Sequence, residues 1–228
     1  MIVGGEPELA LLLHIFPEGV EEFDGAFAVY ADEPPVGFDV VAVEDVVEGW
    51  EDGWRAFHHG VRVGRVWVGP PWDEPPEDAV AVVIDPGRAF GTGAHATTRL
   101  CLELLQELEP TSLLDVGCGS GVLSVAAAKL GFAPVNAVDV DEVALETTRA
   151  NAAVNAVSVE VGAELRPAAL AVMNIALDVV EAMLPRLPVE RAVTSGYLER
   201  DEPSVEGWHP IERRVRDGWA ADLLELRP

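Results

Sequence analysis

Two cysteines in 228 residues, Cys101 and Cys118, are too few for a disulfide framework and lack the spacing of a zinc site. Such usage suits a reducing compartment, with both thiols as small buried side chains. Lysine is scarcer still: Lys129 stands alone, and arginine carries the rest of the positive charge. With 15 basic residues against 40 acidic ones, a formal charge of -25 leaves no basic footprint for a phosphate backbone and argues against direct nucleic-acid binding. No run of eighteen apolar residues occurs, and the N-terminus has no basic, apolar and small-residue order of a signal peptide. The expectation is a cytoplasmic protein, monomeric and without a membrane span.

What is present is ample apolar material, 49% of the chain, enough for a packed core without staples. The acidity is uneven. Residues 1–80 hold 18 acidic and 3 basic side chains and the remainder 22 and 12, so the N-terminal end could attract a basic protein. Short mixed elements fill residues 1–70, the expected first domain. They comprise an ambiguous apolar stretch Leu9 to Phe16, a hairpin across Asp24-Gly25, a strand Val40 to Val43, a helix Asp45 to Phe57 with Trp50 and Trp54 on one face, and an alternating strand Val61 to Val68. Residues 71–84 read as a stiff connector marked by Pro71, Pro75 and Pro76, followed by the strand Val80 to Ile84.

Residues 85–228 then alternate helices and strands. Helices are expected at Thr98 to Leu108, Val122 to Leu130, Glu142 to Asn155 and Ile175 to Leu184. Strands are expected at Ser112 to Val116, Val135 to Val140, Ala169 to Met173 and Ala192 to Ser195, before a closing hairpin His209 to Arg216 and Trp219 to Leu226 across Asp217-Gly218. The fold class is α/β: a small α+β domain ahead of a mostly parallel sheet with helices on both faces and a C-terminal antiparallel hairpin.

The chemistry centres on Leu113-Leu114-Asp115-Val116-Gly117-Cys118-Gly119-Ser120-Gly121, an apolar strand that runs into three alternate glycines and then a helix. Gly117, Gly119 and Gly121 would let a ligand approach the backbone. A dinucleotide fingerprint needs its third glycine at position 122, which is Val122, so nicotinamide and flavin dinucleotides are disfavoured. Asp139, 22 residues after Gly117 at the end of the next strand, can accept both ribose hydroxyls of an adenosyl group. Asp115 could hold the amino group of a methionine moiety or merely stabilise the turn. Together these suggest S-adenosylmethionine.

The stretch Asp85 to Thr98 is glycine-rich and ends in two hydroxyls, Thr97 and Thr98, at a helix start. Phe90 offers an apolar cover for the cofactor mouth. His95 reads either as a base or as a structural loop residue. Asn174 follows a strand at the carboxyl edge of the sheet and could hold an acceptor amine, or simply cap the helix behind it.

At these residues the chain resembles the PrmA family, methyltransferases that modify the eleventh protein of the large ribosomal subunit. The resemblance rests on Asp85-Pro86-Gly87, Ala89-Phe90-Gly91-Thr92-Gly93 with His95 and Thr97-Thr98, the glycine turn, Asp139-Val140-Asp141, Asn174-Ile175 and Ser195-Gly196; Trp50, Trp54 and Pro71-Trp72 look like the family's domain junction. It implies a Rossmann-like class I methyltransferase domain behind a substrate-recognition domain. It also implies contacts of Thr98, Gly117, Asp139 and Asn174 with S-adenosylmethionine, with Phe90 and Thr97 beside them. The implied reaction is methylation of lysine and terminal amines on a basic ribosomal protein, with Asn174 positioning the amine. The chain departs from the family in a shortened first domain, a compressed segment 156–168 and Met173 before Asn174. Methylation of another protein or a small amine, and a non-catalytic cofactor-binding or interaction module, are the rival readings.

Overall fold

The computed structural model describes residues 2–3, 20–23, 26–29, 59–85 and 93–227 of a chain that divides into two compact units, Met1–Phe57 and His58–Pro228. In the first unit, β1 (Ile2–Val3), β2 (Val20–Phe23) and β3 (Ala26–Val29) form an antiparallel sheet in the order β1-β3-β2. Phe23 pairs with Ala26, which produces the hairpin expected around Asp24-Gly25. The expected elements at Leu9 to Phe16, Val40 to Val43 and Asp45 to Phe57, with Trp50 and Trp54, lie outside the described residues, as does Phe90.

The second unit begins with a departure from the expected organisation. Val61 to Val68 is two strands, β4 (Val61–Val63) and β5 (Val66–Gly69), reversed at Gly64 with a φ of 56°. The valine spacing of two is interrupted by a step of three from Val63 to Val66, and that slip across Gly64-Arg65 is the trace of the reversal in the sequence. β5 then pairs in parallel with β6 (Val80–Val83), and the intervening prolines form a crossover between them. That segment is folded back: Asp73 N–H donates to the Pro70 carbonyl at 3.2 Å, and Asp73 Oδ2 accepts from Gly60 N–H at 2.6 Å. These pairings place residues 59–69 with the second unit rather than the first, and β6 in this small sheet rather than in the main one.

The main sheet contains β7 (Leu113–Val116), β8 (Val135–Val138), β9 (Glu160–Gly162), β10 (Leu170–Asn174), β11 (Arg191–Leu198), β12 (Trp208–Arg216) and β13 (Trp219–Leu226). Their order is β12-β13-β11-β10-β7-β8-β9; the strands from β11 to β9 run parallel, and β13 is antiparallel to both its neighbours. β9 lies within the segment read as compressed and was not expected.

Residues of alternate parity point to opposite faces. Leu113, Leu170, Val172, Val193 and Leu223 pack with helices α1 (Ala96–Glu107) and α2 (Val122–Lys129). Leu114, Ala171, Met173, Ala192 and Leu224 pack with Val180 of α4 (Leu177–Met183) on the other face. The helix between them, α3 (Glu142–Val154), lays Leu145 on Ala137 of β8. A strand covered on both sides carries apolar side chains at both parities, which is why Leu113-Leu114 reads as a run and not as an alternation. Full burial of a leucine contributes about 1.5–3 kcal/mol, so the paired faces of β7 anchor the strand that ends in the glycine turn.

Candidate active site

The turn after β7 is held chiefly by backbone. Gly117 and Cys118 N–H groups both donate to the Val138 carbonyl, at 2.9 and 3.1 Å, and Gly121 N–H donates to the Cys118 carbonyl at 2.8 Å. Gly117, Gly119 and Gly121 have φ values of 77°, 54° and 79°, in the left-handed region where a Cβ is costly. Space is a second reason at two of them. A Cβ on Gly117 would stand 2.6 Å from Ile175 Cγ2, and one on Gly121 2.9 Å from Thr148 Cγ2. The room expected for a ligand at these two glycines is thus occupied by neighbouring elements of the protein; their smallness lets α3 and the segment after β10 close on the turn.

Asp139 stands one residue beyond β8, half-buried at the carboxyl edge of the sheet. Its Oδ2 accepts from Gly119 N–H at 3.0 Å and its Oδ1 from Asp141 N–H at 3.1 Å. Each oxygen is oriented by one amide and retains accepting capacity toward solvent. Next to it, Val140 is 106% exposed, an apolar side chain left uncovered by the described residues at the same rim. Sequence reading passed over Val140, because a valine near a strand end is ordinary until its exposure is known.

Asp115 lies deeper. It is 1% exposed, and Ser124 Oγ donates to its Oδ2 at 2.5 Å. Burial pushes its carboxyl up to about 7, opposed by the Ser124 hydrogen bond and reinforced by the negative Asp139. The structure therefore puts Asp115 beneath the turn, away from the rim where it would meet an amino group directly. The same burial raises Cys118 to about 12 and moves Cys101 further still, so both thiols stay protonated and unreactive.

Across the carboxyl edge from Asp139, Asn174 ends β10, and its Nδ2 donates to Thr98 Oγ1 at 3.1 Å. Two residues 76 positions apart, each singled out in the sequence, are joined here. Asn174 does not cap the following helix, whose N-cap is Ala176 without a side-chain bond. Its neighbour Ile175 donates its N–H to the Ser195 carbonyl at 3.1 Å, and Gly196, with φ of 101°, approaches so closely that a Cβ would lie 2.3 Å from the Ile175 carbonyl oxygen. Gly117 on one side and Gly196 on the other thus clamp the residue after Asn174.

Thr97 is buried and its Oγ1 lies 2.7 Å from His95 Nδ1, so it faces its own helix cap. Asn151 of α3 and Asn155, the C-cap of that helix four residues on, were not recognised in the sequence. Asn151 Nδ2 donates to the carbonyls of Asp85 and Ser120 at 3.0 and 2.8 Å, while its Oδ1 accepts from Asp85 N–H at 3.1 Å. Asn155 similarly brackets Val83, accepting from its N–H at 2.9 Å and donating to its carbonyl at 2.6 Å. Two side-chain amides stand in for a neighbouring strand along the end of β6 and tie it to the glycine turn. Asn151 inside a helix, where asparagine weakens propensity, was the available signal.

Among the described residues no group of three or more His, Cys, Asp or Glu is arranged to hold a metal, and no helix is long and apolar enough to cross a membrane. A cleft of about 580 Å3 lined by Leu170, Pro188 and Arg191 opens at the starts of β10 and β11, the opposite end of the sheet from the turn. It belongs to a different edge from Asp139 and Asn174.

Residues 28–221 match the family described as "Ribosomal protein L11 methyltransferase (PrmA)". A ribosomal protein L11 methyltransferase of Symbiobacterium thermophilum is 41% identical over 203 residues, 79% of this chain and 66% of that one; one from Legionella pneumophila is 44% identical over 193 residues, 76% and 67%. The chain thus spans about two thirds of the length of these curated relatives. Among solved structures, the ribosomal protein L11 methylase from Lactobacillus delbrueckii subsp. bulgaricus superposes with a TM-score of 0.67 at 24% identity, covering 75% of this chain and all (100%) of that one, a likeness of fold. With the family match extending over both the glycine turn and the Asn174 edge, this chain belongs to the ribosomal protein L11 methyltransferase (PrmA) family.

Proposed function

We propose that the protein transfers methyl groups from S-adenosylmethionine to lysine side-chain and terminal amines of ribosomal protein L11. One observation carries the reading: Asp139, oriented by two backbone amides, and Asn174, locked to Thr98, flank the glycine turn on the same carboxyl edge of the sheet. Ligands of open α/β sheets bind along that edge. The residues present suit the adenosyl group. The acceptor-only carboxylate of Asp139 matches a ribose diol, and exposed Val140 offers an apolar face for an adenine. Gly119 forms the floor, with Gly117 and Gly121 closing the turn beneath it on Ile175 and Thr148, Thr98 the wall toward Asn174, and Thr97 and Asp115 support them from within. Phe90 is assigned a covering role by its place in the sequence.

When bound, S-adenosylmethionine supplies an electrophilic methyl carbon. The chain's task is to present a neutral amine in line with it. Asn174 has the geometry for this: Nδ2 is committed to Thr98, so Oδ1 is the free end and accepts an N–H from the amine. That hydrogen bond fixes the nitrogen's direction while its lone pair stays available. A lysine amine must first lose a proton, since its ordinary pKa is near 10.4; removal from water at an enclosed acceptor site lowers that value. A formal charge of -25 favours encounter with a basic protein.

The test is incubation with labelled S-adenosylmethionine and unmethylated ribosomal proteins, then mass mapping. Label on L11 amines supports the reading; label confined to small amines, or binding without transfer, rejects it. Asn174→Ala should lower kcat by about a hundredfold while leaving cofactor affinity within a few fold. Equal loss of both would reject the positioning role.

A further inference from the structure

We infer that His95 is a positioning residue for the acceptor amine, acting through Thr98 and Asn174; this rests on the methyl-transfer reading above. His95 is the N-cap of α1: its Nδ1 accepts from Thr97 N–H at 3.4 Å and lies 2.7 Å from Thr97 Oγ1, while its carbonyl accepts from Arg99 N–H at 3.1 Å. The helix start it closes carries Thr98, whose hydroxyl receives the Asn174 amide. The imidazole is also braced from outside, edge-on to the Trp219 indole with centroids 4.9 Å apart and planes at 72°.

That brace continues along the helix. Arg216, paired with Trp219 in the hairpin, meets Glu103 at 2.6 Å, and Arg214 meets Glu107 at 2.5 Å. Three successive contacts therefore seat α1 against the C-terminal hairpin, and His95 is the one at the functional end. A histidine here accepts at the cap, as a serine or aspartate would, and in addition presents a ring to the indole. Its Nδ1 is engaged with Thr97, which ties the ring to the helix start that carries Thr98.

The experiment compares wild type, His95→Ala, His95→Asn, Trp219→Leu and, as reference, Thr98→Val. Methyl transfer to L11, S-adenosylmethionine affinity by calorimetry, and the Asn174 side-chain amide signal in 15N spectra of the free protein are measured for each. His95→Ala is expected to lower kcat on the order of tenfold to a hundredfold, with cofactor affinity within about threefold, because Asp139 and the glycine turn lie on other strands. Its Asn174 amide signal should shift toward that of Thr98→Val. His95→Asn, which restores a cap acceptor, should recover most of kcat, and Trp219→Leu should fall between. The inference is overturned if His95→Asn is as slow as His95→Ala, the behaviour of a base, or if the Asn174 signal stays in place in His95→Ala. Absence of transfer by the wild type would instead count against the methyl-transfer reading, and the amide signal would still decide the role of His95.

Discussion

Replacement of Asp115 by asparagine isolates a buried ionisation from everything else in this acidic protein. The carboxyl is 1% exposed, accepts from Ser124, and titrates near 7 in the folded chain against an ordinary value of 3.8. Its folded value is raised, so folding favours the protonated form. The stabilising contribution is complete below about pH 4, declines as pH rises, and is gone above about pH 7, where the native state must carry a buried carboxylate. At about 1.4 kcal/mol per pH unit between the two values, the ceiling on this loss is roughly 4 kcal/mol. Local relaxation and the retained Ser124 bond bring the expected change to about 2 kcal/mol. Urea unfolding of wild type and Asp115→Asn at closely spaced pH between 4.5 and 8, an interval of about the width that the shift spans, measures it directly. General repulsion among the surface carboxylates weakens both proteins alike, so the difference between them reports Asp115. The variant should gain on wild type by about 2 kcal/mol from the acid to the alkaline end. A difference constant over that range, or one that moves in favour of wild type as pH rises, would refute the assignment of a raised carboxyl under the turn.

Two other perturbations test the frame around the site. Gly196→Ala would bring a Cβ to 2.3 Å from the Ile175 carbonyl oxygen at a φ of 101°, so it should destabilise by about 2–4 kcal/mol in thermal or urea unfolding and depress kcat by displacing Asn174; an unchanged melting temperature would show that the clamp is slack. Asn151→Leu leaves the Asp85 N–H and the Asp85 and Ser120 carbonyls without their side-chain partner, and a cost of about 2–3 kcal/mol is expected, together with faster hydrogen exchange at Asp85 than at Val116.

Much of the architecture was legible without coordinates because it is written in local terms. Helices such as Val122–Lys129 and Glu142–Val154 came within one residue of their expected ends, since the glycine turn, Asp141 as an N-cap accepting from Val143, and Gly131 mark them over a few positions. The β4–β5 reversal shows in the sequence only as a three-residue step from Val63 to Val66 within an otherwise two-residue valine spacing, and β9 escaped because three residues are too few for a period to register. In the site, the three glycines and Asp139 stood out through spacing along the chain. The Asn174–Thr98 bond did not, for it joins residues in separate elements; only the parallel pairing of β10 with β7 and the seating of α1 over the sheet bring them together.

The sequence by itself determined the helix and strand alternation and the family, because each depends on residue type and on spacing over a few tens of positions. Tertiary structure alone decided that Gly117 and Gly121 are small for the sake of Ile175 and Thr148, that Asp115 is sealed beneath the turn, and that asparagines of α3 complete the edge of β6. Those outcomes are fixed by packing distance and by the loss of water around polar groups. Both arise only when distant segments share one volume.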